Sequence, residues 1–280
     1  MARYLVTGGA GFIGSHVVDA LLEEGHGVRV LDDLSSGSLA NVPTAEKCEF
    51  INKDLAERGV AESVVDGVTC VIHLAAIPSV PRSVLEPARS HRANVAATHA
   101  LLLAAREAGV QRVVQASSSS VYGESEALPK TEAMKVQPMS PYGLHKLIGE
   151  QYASLFHRLY GLQTVSLRFF NVFGPRQSPT SQYSGVISLF IDSLLSETAP
   201  TIYGDGEQTR DFTYVSDVSQ AILNACVSPN AAGCVLNVAR GGKTSINALY
   251  AMLQKITGVM VSAQHGDCLL YTSPSPRDRG

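Results

Sequence analysis

A tyrosine and a lysine stand four residues apart in the segment SPYGLHK, residues 140–146, where the sequence predicts the first turn of a helix. At this spacing the two side chains share one helix face, so Tyr142 and Lys146 can act on one ligand. A tyrosine that accepts a proton near pH 7 needs its pKa lowered from about 10 to about 7, equivalent to roughly 4 kcal/mol. One cation about 6 Å away supplies about 2.8 kcal/mol at an effective dielectric constant near 20. The pair therefore predicts a general base that needs a second positive charge, and the alternative is an ordinary surface tyrosine and lysine.

The segment VTGGAGFIGSH, residues 6–16, follows the first predicted strand and opens the first predicted helix. Its glycines fit two phosphate-loop spacings, because Gly8, Gly11 and Gly14 form GxxGxxG while Gly9, Gly11 and Gly14 form GxGxxG. Glycine permits a tight turn and lets a pyrophosphate approach the amide groups and positive dipole of a helix N-terminus. An ordinary glycine turn is the alternative, but the strand-loop-helix context favours a dinucleotide site.

Two aspartates end the second predicted strand, in LDDLSSG. Asp32 lies 18 residues after Gly14, close to where a carboxylate binds the adenosine ribose hydroxyls of a dinucleotide. A turn or helix cap is the alternative for both aspartates, and for Asp33 in particular. No arginine follows in this loop, so the 2′-phosphate of NADP would meet negative charge. The sequence therefore favours NAD, whose oxidised ring would supply the second positive charge near Tyr142.

Short apolar runs rich in β-branched residues alternate with longer helical patterns over the first two thirds of the chain. Near-continuous apolar strands separated by helices predict a parallel sheet covered on both faces. The predicted fold is therefore α/β, a Rossmann-type doubly wound parallel sheet. The segment SSSSVYG, residues 117–123, leaves the carboxyl end of the fifth predicted strand, the edge at which such sheets bind ligands. Because Tyr142 and Lys146 follow this segment, two independent signals indicate one site.

The 280-residue chain has 45% hydrophobic and 17% charged residues and a formal net charge of −3. This composition is typical of a folded domain and gives no broad basic field, so we expect no nucleic-acid partner. Five scattered cysteines without a CxxC pair and eight histidines without HExxH predict reduced thiols and no metal site. The N-terminus has no signal-peptide pattern, and the apolar runs are far shorter than the ~20 residues of a membrane span. We therefore expect a cytoplasmic protein without a membrane partner.

Nine motifs follow one another over residues 3–266: TGGAGFIGSH, LDDLSSG, KDLAE, HLAA, SVPRS, SSSSVYG, SPYGLHK, RFFNVFGPRQ and GDGEQTRDFTYVSDV. In these motifs and their order the chain resembles the extended short-chain dehydrogenase/reductase family. Within that family it is similar to the nucleotide-sugar 4-epimerase branch, typified by the UDP-glucose and UDP-N-acetylglucosamine 4-epimerases. The resemblance covers most of the chain, and the order of the motifs is more specific than any one of them.

The resemblance implies that NAD stays bound as cofactor. Asp54 and Leu55 would contact its adenine, and Leu74 and Ala75 would line its pyrophosphate. The implied cofactor site comprises Gly8, Gly11, Phe12, Ile13, Gly14, Asp32, Asp33, Asp54, Leu55, Leu74, Ala75, Asn94, Tyr142, Lys146 and Phe170.

The resemblance also identifies a catalytic serine. Counting back four residues from Tyr122 of VYG, Ser118 matches the family's catalytic serine beside Tyr142 and Lys146. A small error in this count would select a neighbouring serine, Ser117, Ser119 or Ser120.

The implied substrate-binding residues are Ser79, Ser118, Tyr142, Asn171 and Arg210. Asn171 and Arg210 match positions that bind the nucleotide diphosphate, for which a fixed guanidinium fork is well suited. A surface ion pair with the adjacent aspartate at position 211 is the alternative for Arg210. Ser79, in SVPRS, matches a segment near the sugar ring.

The activity implied by the resemblance is inversion of C4 of a UDP-hexose through a transient 4-keto sugar. Tyr142 would take the 4-hydroxyl proton, Ser118 would hydrogen-bond the reacting oxygen, and Lys146 would hold the nicotinamide ribose. Nucleotide-sugar dehydratases place Asp-Glu after the catalytic hydroxyl residue, whereas this chain has Ser119 and Ser120, so dehydration is disfavoured. Epimerisation at another carbon and decarboxylation stay open. A non-catalytic NAD-sensing protein is an alternative of another class.

Two predicted helices, over residues 84–104 and 142–160, carry apolar residues on more than one face. One face must cover the sheet, so the surplus predicts a partner surface. Because the family commonly pairs these two helices between subunits, we expect a homodimer.

We predict an NAD-binding domain over residues 1–170, an incomplete substrate-binding lobe over residues 171–266, and a non-native tail over residues 267–280. The segment CLLYTSPSPRDRG, residues 268–280, lacks apolar periodicity, so we expect it to be disordered. In plausible codons CLLYTS gives TGT CTC TTA TAC ACA TCT, which looks like the end of a transposon adapter used for sequencing libraries. We therefore expect a truncated gene fragment that binds UDP-sugar weakly and turns over poorly.

Overall fold

The computed structural model describes residues 2–124, 127–178 and 185–267. Residues 179–184 of the loop after Asn171 and residues 268–280 of the predicted tail lie outside the described residues.

Thirteen strands are formed by the described residues. In chain order they are β1 Arg3–Thr7, β2 Gly27–Asp32, β3 Cys48–Asn52, β4 Cys70–His73, β5 Arg112–Ser118, β6 Gln163–Phe169, β7 Val172–Phe173, β8 Thr201–Tyr203, β9 Thr209–Arg210, β10 Thr213–Tyr214, β11 Val235–Val238, β12 Thr244–Ser245 and β13 Gln264–Gly266.

The α-helices of the described residues follow the strands in alternation over the first part of the chain. They are α1 Phe12–Glu23, α2 Val60–Val65, α3 Val80–Leu85, α4 Pro87–His91, α5 Ala97–Glu107, α6 Pro141–Tyr160, α7 Val186–Leu195, α8 Val215–Val227 and α9 Ile246–Thr257.

Seven strands form the main sheet in the order β11-β6-β5-β4-β1-β2-β3, and every neighbouring pair is parallel. Buried residues of α2, α5 and α6 cover one face, and buried residues of α1 and α8 cover the other. The predicted α/β fold with a doubly wound parallel sheet is therefore confirmed. Since all seven strands are parallel, their carboxyl ends meet at one edge, where the ligand cleft of such a sheet is expected.

The smaller lobe has its own apolar core, formed by α7, α9 and β8 around Phe190, Leu194, Ile202 and Tyr250. However, the C-terminal part of the chain also completes the main sheet, because β11 pairs with β6 and α8 packs against α1. The boundary predicted at residue 171 stays a prediction. In the structure, elements that follow residue 171 contribute both to the main sheet and to the smaller lobe.

The region after β4 differs from the sequence pattern, which predicted one helix over residues 84–104. The structure divides it into α3, α4, a π-helical turn at Arg92–Ala96, and α5. Pro87 opens α4 and has no N–H group, so α3 ends at Leu85.

The described residues contain neither a membrane-spanning helix nor a metal-ligand cluster. No helix among them combines the length and apolar character that crossing a membrane requires. The same residues contain no cluster of three or more His, Cys, Asp or Glu side chains that could hold a metal ion.

Candidate active site

A cleft of about 1000 Å³ lies at the carboxyl edge of the main sheet. It extends from the glycine loop, past the end of β5 and the first turns of α6, to β9 in the smaller lobe. The predicted site residues that line it are Gly8, Gly11, Phe12, Ile13, Gly14, Asp32, Asp33, Asp54, Leu55, Leu74, Ala75, Ser118, Tyr142, Lys146, Phe170, Asn171 and Arg210.

The glycine loop is packed too closely for larger residues. Gly8 has φ +71°, and a Cβ atom on it would lie 2.7 Å from the amide nitrogen of Ala75. A Cβ atom on Gly14 would collide with the carbonyl oxygen of Gly8. The Ala75 amide in turn donates to Thr7 Oγ1 at 3.2 Å, which joins the ends of β1 and β4. The loop is therefore a backbone cradle, the arrangement that a pyrophosphate needs.

The N-terminus of α1 faces this cradle. Its N-cap is Gly11, and no side chain among the described residues caps the helix or places an acidic group in its first turn. The amide groups of the first turn and the positive end of the helix dipole are therefore available to an anion. This set of groups fits the pyrophosphate of a dinucleotide.

Asp32 and Asp33 differ in their surroundings. Asp32 is buried, and its two carboxylate oxygens accept hydrogen bonds from the amides of Ala10 at 3.0 Å and Leu34 at 2.9 Å. Burial raises the pKa of Asp32, while these amide hydrogen bonds oppose the rise. The carboxylate of Asp33 instead accepts from the backbone and hydroxyl of Ser35, as in a turn. Both aspartates accept from the amide two residues on, as in a turn, and both line the cleft, so their contacts with the cofactor stay predictions.

Two predicted site residues, Asn94 and Ser79, do not line the cleft. Asn94 lies in the π-helical turn, and its side-chain amide pairs with the backbone of Ile77 at 2.8 and 3.1 Å, so it fixes a wall residue of the cleft. Ser79 caps α3 by accepting from the amide of Arg82 at 3.1 Å. Both side chains therefore form hydrogen bonds with the protein backbone behind the cleft, and neither lines the cleft itself.

The first turn of α6 is held by two serine hydroxyls. Ser140 is the N-cap and accepts from the amide of Gly143 at 3.1 Å, while Ser83 Oγ accepts from the amide of Tyr142 at 3.0 Å. Pro141 has no N–H to satisfy, as is usual at the first helical position. These contacts fix the backbone of Tyr142. Ser83, the second serine of SVPRS, thus has a role that the sequence analysis did not assign.

Lys146 lies one turn further along α6. Its Nζ donates to the carbonyl oxygen of Ala116 at 2.8 Å and stands 5.9 Å from the centroid of the Tyr142 ring. Burial lowers the pKa of Lys146 to about 8, and the negative charge of Glu150 opposes this. The predicted helical pairing of Tyr142 and Lys146 is therefore present, with the cation facing the ring.

The four serines at the end of β5 point in different directions. Ser117 Oγ donates to Glu150 Oε1 at 2.5 Å, and Ser119 Oγ donates to the carbonyl oxygen of Phe169 at 3.0 Å. Ser118 lines the cleft, its Oγ accepts from the amide of Ser120 at 3.1 Å, and the hydroxyl oxygens of Ser118 and Ser120 lie 2.9 Å apart. Ser117 and Ser120 also line the cleft, so Ser118 as the catalytic serine stays a prediction.

A buried polar network supports this end of the cleft. Glu150 forms a two-point ion pair with Arg168, which also donates to the hydroxyl of Tyr122 at 2.9 Å. Tyr122 donates to Asn237 Oδ1 of β11 at 2.6 Å. The network joins α6, β6 and the strand contributed by the C-terminal part. Glu150 lies four residues after Lys146 on the same helix face, a spacing that could have identified it from sequence.

A second buried group lies under the glycine loop. His73, the last residue of β4, is held between Thr7 Oγ1 at 2.8 Å and Thr98 Oγ1 at 2.9 Å. Burial, and secondarily the charge of Lys146, lower the pKa of His73 to about 3. The imidazole is therefore neutral at physiological pH and acts as a structural link between β1, β4 and α5.

The smaller lobe contributes Asn171 and Arg210 to the cleft. Asn171 Nδ2 donates to the carbonyl oxygen of Asp211 at 3.0 Å, and Arg210 Nη1 donates to the carbonyl oxygen of Thr209 at 3.0 Å. The carboxylate of Asp211 accepts from the amides of Arg240 and Gly241 at 3.3 and 2.8 Å. Asp211 is therefore engaged in holding a backbone turn.

The cleft thus combines the glycine loop, the carboxylate of Asp32 at the end of β2, the hydroxyl of Ser118 at the end of β5, and Tyr142 and Lys146 on α6. The sequence signature of the NAD dependent epimerase/dehydratase family matches residues 4–239. The chain belongs to the NAD-dependent epimerase/dehydratase family. The predicted family and its NAD cofactor are confirmed by this match, and the cradle and Asp32 fit that cofactor.

Relatives within the NAD-dependent epimerase/dehydratase family include proteins named for 4-epimerase activity. A UDP-glucose 4-epimerase from Mycolicibacterium smegmatis is 43% identical over 91% of this chain and 83% of its own length. The structure of a UDP-N-acetylglucosamine 4-epimerase from Methanobrevibacter ruminantium, in complex with UDP-N-acetylmuramic acid, superposes with a TM-score of 0.92 at 40% identity and covers 95% of this chain and 85% of that one.

A UDP-glucose 4-epimerase from Thermotoga maritima, solved with UDP-glucose, gives a TM-score of 0.90 at 38% identity over 95% of this chain and 85% of that one. The family also includes other chemistry. A dTDP-glucose 4,6-dehydratase from Streptomyces venezuelae gives a TM-score of 0.87 at 33% identity, with 95% and 84% of the two chains covered.

Proposed function

We propose that the protein is a UDP-hexose 4-epimerase. The observation that carries this proposal is the arrangement of Ser118, Tyr142 and Lys146 in one cleft that is continuous with the glycine loop. The glycine loop and Asp32 would hold NAD, which would supply reversible hydride acceptance from C4 of the sugar with no net redox change.

The residues of this chain supply the proton transfer. Tyr142 takes the proton of the 4-hydroxyl group and returns it after the keto sugar has turned over. Lys146 lies 5.9 Å from the Tyr142 ring centroid, and its positive charge favours the phenolate. Ser118 hydrogen-bonds the reacting oxygen during the transfer.

The residues after Ser118 favour epimerisation over dehydration. Elimination of water needs an additional acid and base near the sugar, and Ser119 and Ser120 occupy the places where dehydratases of this family carry Asp-Glu. Ser119 Oγ is engaged with a backbone carbonyl, and a serine hydroxyl has an unsuitable pKa for either role. Dehydration and epimerisation at another carbon are the alternative activities.

The proposal is tested with purified protein incubated with UDP-galactose and with UDP-N-acetylgalactosamine. Because the chain spans 83% of the length of the M. smegmatis relative, the same assay is run on a version extended by that relative's C-terminal segment. We expect the 4-epimer of at least one substrate by proton NMR. A 4-keto-6-deoxy product would establish the dehydratase instead, and no product from any UDP-sugar in either version would contradict the proposal.

The role of Tyr142 separates an enzyme from a non-catalytic NAD-sensing protein. We expect Tyr142→Phe to lower kcat by roughly 100- to 10,000-fold, because general base catalysis contributes that much. Tyr160→Phe is the matched control, since Tyr160 lies at the exposed end of the same helix. Equal turnover by Tyr142→Phe and the parent would show that Tyr142 is not the base, and NAD binding without turnover by the parent would support the sensor.

We also propose that Asn171 and Arg210 bind the diphosphate of the UDP-sugar. Both lie at the smaller-lobe end of the cleft, and a planar guanidinium can bind phosphate oxygens at two points. Arg210→Lys keeps the charge but loses the fork, so we expect KM for the UDP-sugar to rise about tenfold while NAD affinity is unchanged. An unchanged KM would contradict this contact.

We propose a homodimer formed through α6 and the α3–α5 region. Leu155 and Leu159 lie four residues apart on α6 and are 38% and 67% exposed, and Leu85 at the end of α3 is 75% exposed. Burial of such a stripe is typical of a helix partner, and the resemblance implies that this partner is a second copy. We expect a dimer mass by light scattering at micromolar concentration and a monomer for Leu159→Asp. A monomeric parent would contradict the proposal.

A further inference from the structure

We propose that residues 174–178, here called the strap, form the wall of the cleft beside the pyrophosphate site and slow the release of NAD. In this proposal His16 and Asp19 of helix α1 are the positioning residues that hold the strap in place. The inference concerns retention of the cofactor that the family binds. It therefore goes beyond the proposed 4-epimerase function and does not depend on which sugar reaction the protein performs.

The strap and helix α1 line the same cleft. The strap follows strand β7, and its residues Arg176, Gln177 and Ser178 line the cleft. Phe12 and Ile13, in the first turn of α1, line it as well. One part of the cleft wall therefore comes from the strap, and the adjoining part comes from the helix whose N-terminus faces the glycine loop.

Two side chains of α1 hold the strap. His16 Nε2 donates to the carbonyl oxygen of Pro175 at 3.0 Å. Arg176 Nη1 donates to Asp19 Oδ2 at 2.7 Å. His16 and Asp19 lie four and seven residues after Phe12, so the three side chains share one helix face. The face of α1 that begins at the cleft thus continues beneath the strap.

The strap backbone is fixed at both ends. Arg176 has φ +66°, a left-handed conformation that a residue other than glycine keeps only where its surroundings impose it. A Cβ atom on Gly174 would lie 2.6 Å from the side chain of Val215, the first residue of α8. Gln177 Nε2 also donates to the carbonyl oxygen of Val172 at 3.2 Å. The strap is therefore packed against α8 and bonded to α1, and its left-handed residue is the one that forms the ion pair.

These contacts have a consequence for a bound dinucleotide. His16 lies five residues after the N-cap Gly11, a rise of roughly 7.5 Å along the helix, so the strap is held close to the pyrophosphate site. A dinucleotide that leaves the glycine loop on this side must displace the strap. The side chains of Asp19 and Arg176 are 33% and 35% exposed, so their ion pair can break and re-form. The arrangement therefore slows release without making it impossible.

The experiment measures cofactor release directly. The purified protein is loaded with NADH and mixed with an excess of NAD, and the change in NADH fluorescence gives the dissociation rate constant, koff. We expect koff to rise about fivefold in Asp19→Ala and in Arg176→Ala, because a partly exposed ion pair contributes about that factor and affinity changes appear mainly in dissociation. The double variant Asp19→Ala/Arg176→Ala should release NADH no faster than the single variants. His16→Ala removes a separate contact, so it should raise koff further in the Asp19→Ala background.

Arg3→Ala is the matched control, because Arg3 forms an exposed ion pair with Glu49 and neither residue lines the cleft. We expect this variant to keep the koff of the parent. Added NaCl should raise koff more in the parent than in Asp19→Ala, since salt screens the ion pair.

Two results would overturn the inference. One is an unchanged koff in Asp19→Ala, including the case in which thermal unfolding shows a loss of stability, because the ion pair would then have a structural role alone. The other is a rise in koff in Arg176→Ala without a rise in Asp19→Ala, which would mean that Arg176 acts on the phosphates through its charge. Since NADH release is the readout, neither result bears on the proposed sugar reaction.

Discussion

Glu150 and Arg168 form a two-point ion pair in the interior, with Nε–Oε1 and Nη2–Oε2 distances of 2.8 Å, and their side chains are 4% and 6% exposed. Both oxygens of the carboxylate and both sides of the guanidinium are engaged, since Ser117 and Tyr122 complete the network. The pair joins the base-bearing helix α6 to strand β6 behind the cleft. The carboxylate and the guanidinium are therefore both buried, and each keeps its hydrogen bonds.

Removing one partner should be far more costly than removing both. Arg168→Met leaves a buried, unpaired carboxylate, so we expect it to lower the free energy of unfolding by about 3–5 kcal/mol. The double variant Glu150→Leu/Arg168→Met removes both charges and should lose less than the sum of the two single variants. Urea unfolding of the four proteins measures the coupling, and additive losses would contradict a specific pair.

Burial of Lys146 should make stability depend on alkaline pH. Its pKa in the folded protein is about 8 and its ordinary value is 10.5, so between these values the unfolded chain binds more protons and stability rises with pH. Relative to Lys146→Met, the parent should gain up to roughly 3 kcal/mol between pH 8 and 10.5. Urea unfolding of both proteins at pH 7, 8, 9 and 10 measures this difference, in which other titrating groups cancel. A difference that is constant with pH would show that Lys146 keeps its ordinary pKa.

His73 should make stability rise with pH in the same way, but in the acidic range. Its pKa is about 3 in the folded protein and 6.5 ordinarily, so below pH 6.5 the unfolded chain takes up a proton that the folded chain does not. The parent should therefore lose about 1.4 kcal/mol per pH unit below 6.5 relative to His73→Gln, which keeps polar atoms near Thr7 and Thr98. Parallel unfolding of the two proteins from pH 7 to 4.5 measures this loss. If the free energies of unfolding of the parent and of His73→Gln fell equally with decreasing pH, this would contradict a neutral, buried imidazole.

Local motifs made much of the cleft predictable. The glycine loop, Asp32 and the Tyr142–Lys146 pair each depend on a few consecutive residues, a strand end and a helix start, so their types and spacing indicate their positions. All of them line the cleft. The parallel sheet was predictable for a similar reason, because buried strands and covering helices have different apolar patterns.

Features that depend on long-range packing could not be predicted in this way. Which serine of SVPRS serves which purpose depends on where α3 packs, and the structure shows Ser79 capping that helix while Ser83 holds Tyr142. The pairing of β11 with β6 joins residues about 70 positions apart. Helix α2, with six residues, is too short to show a helical period. The spacing of Lys146 and Glu150 indicates one helix face, but Arg168, the ion-pair partner of Glu150, lies on another element, so no local pattern indicates that this pair is buried.

Gly143 should be indispensable for activity although alanine favours helices. A Cβ atom there would lie 2.8 Å from the backbone carbonyl oxygen of Ser120, a rigid neighbour, so the first turn of α6 must move away from the serines. Small displacements of catalytic groups reduce rates strongly, and we expect Gly143→Ala to lower kcat about 100-fold. Stability should change little, because the gain in helix propensity of about 1 kcal/mol offsets part of the strain.

Gly149→Ala provides the matched control on the same helix. A Cβ atom at Gly149 would meet the side chain of Gln115 at 3.6 Å, an ordinary van der Waals distance, so the helix need not move. We expect this variant to keep the parent's kcat and to gain up to about 1 kcal/mol in the free energy of unfolding. Steady-state kinetics and urea unfolding of the two alanine variants decide the matter. Equal kcat values for both would mean that the contact between Gly143 and Ser120 does not position the base.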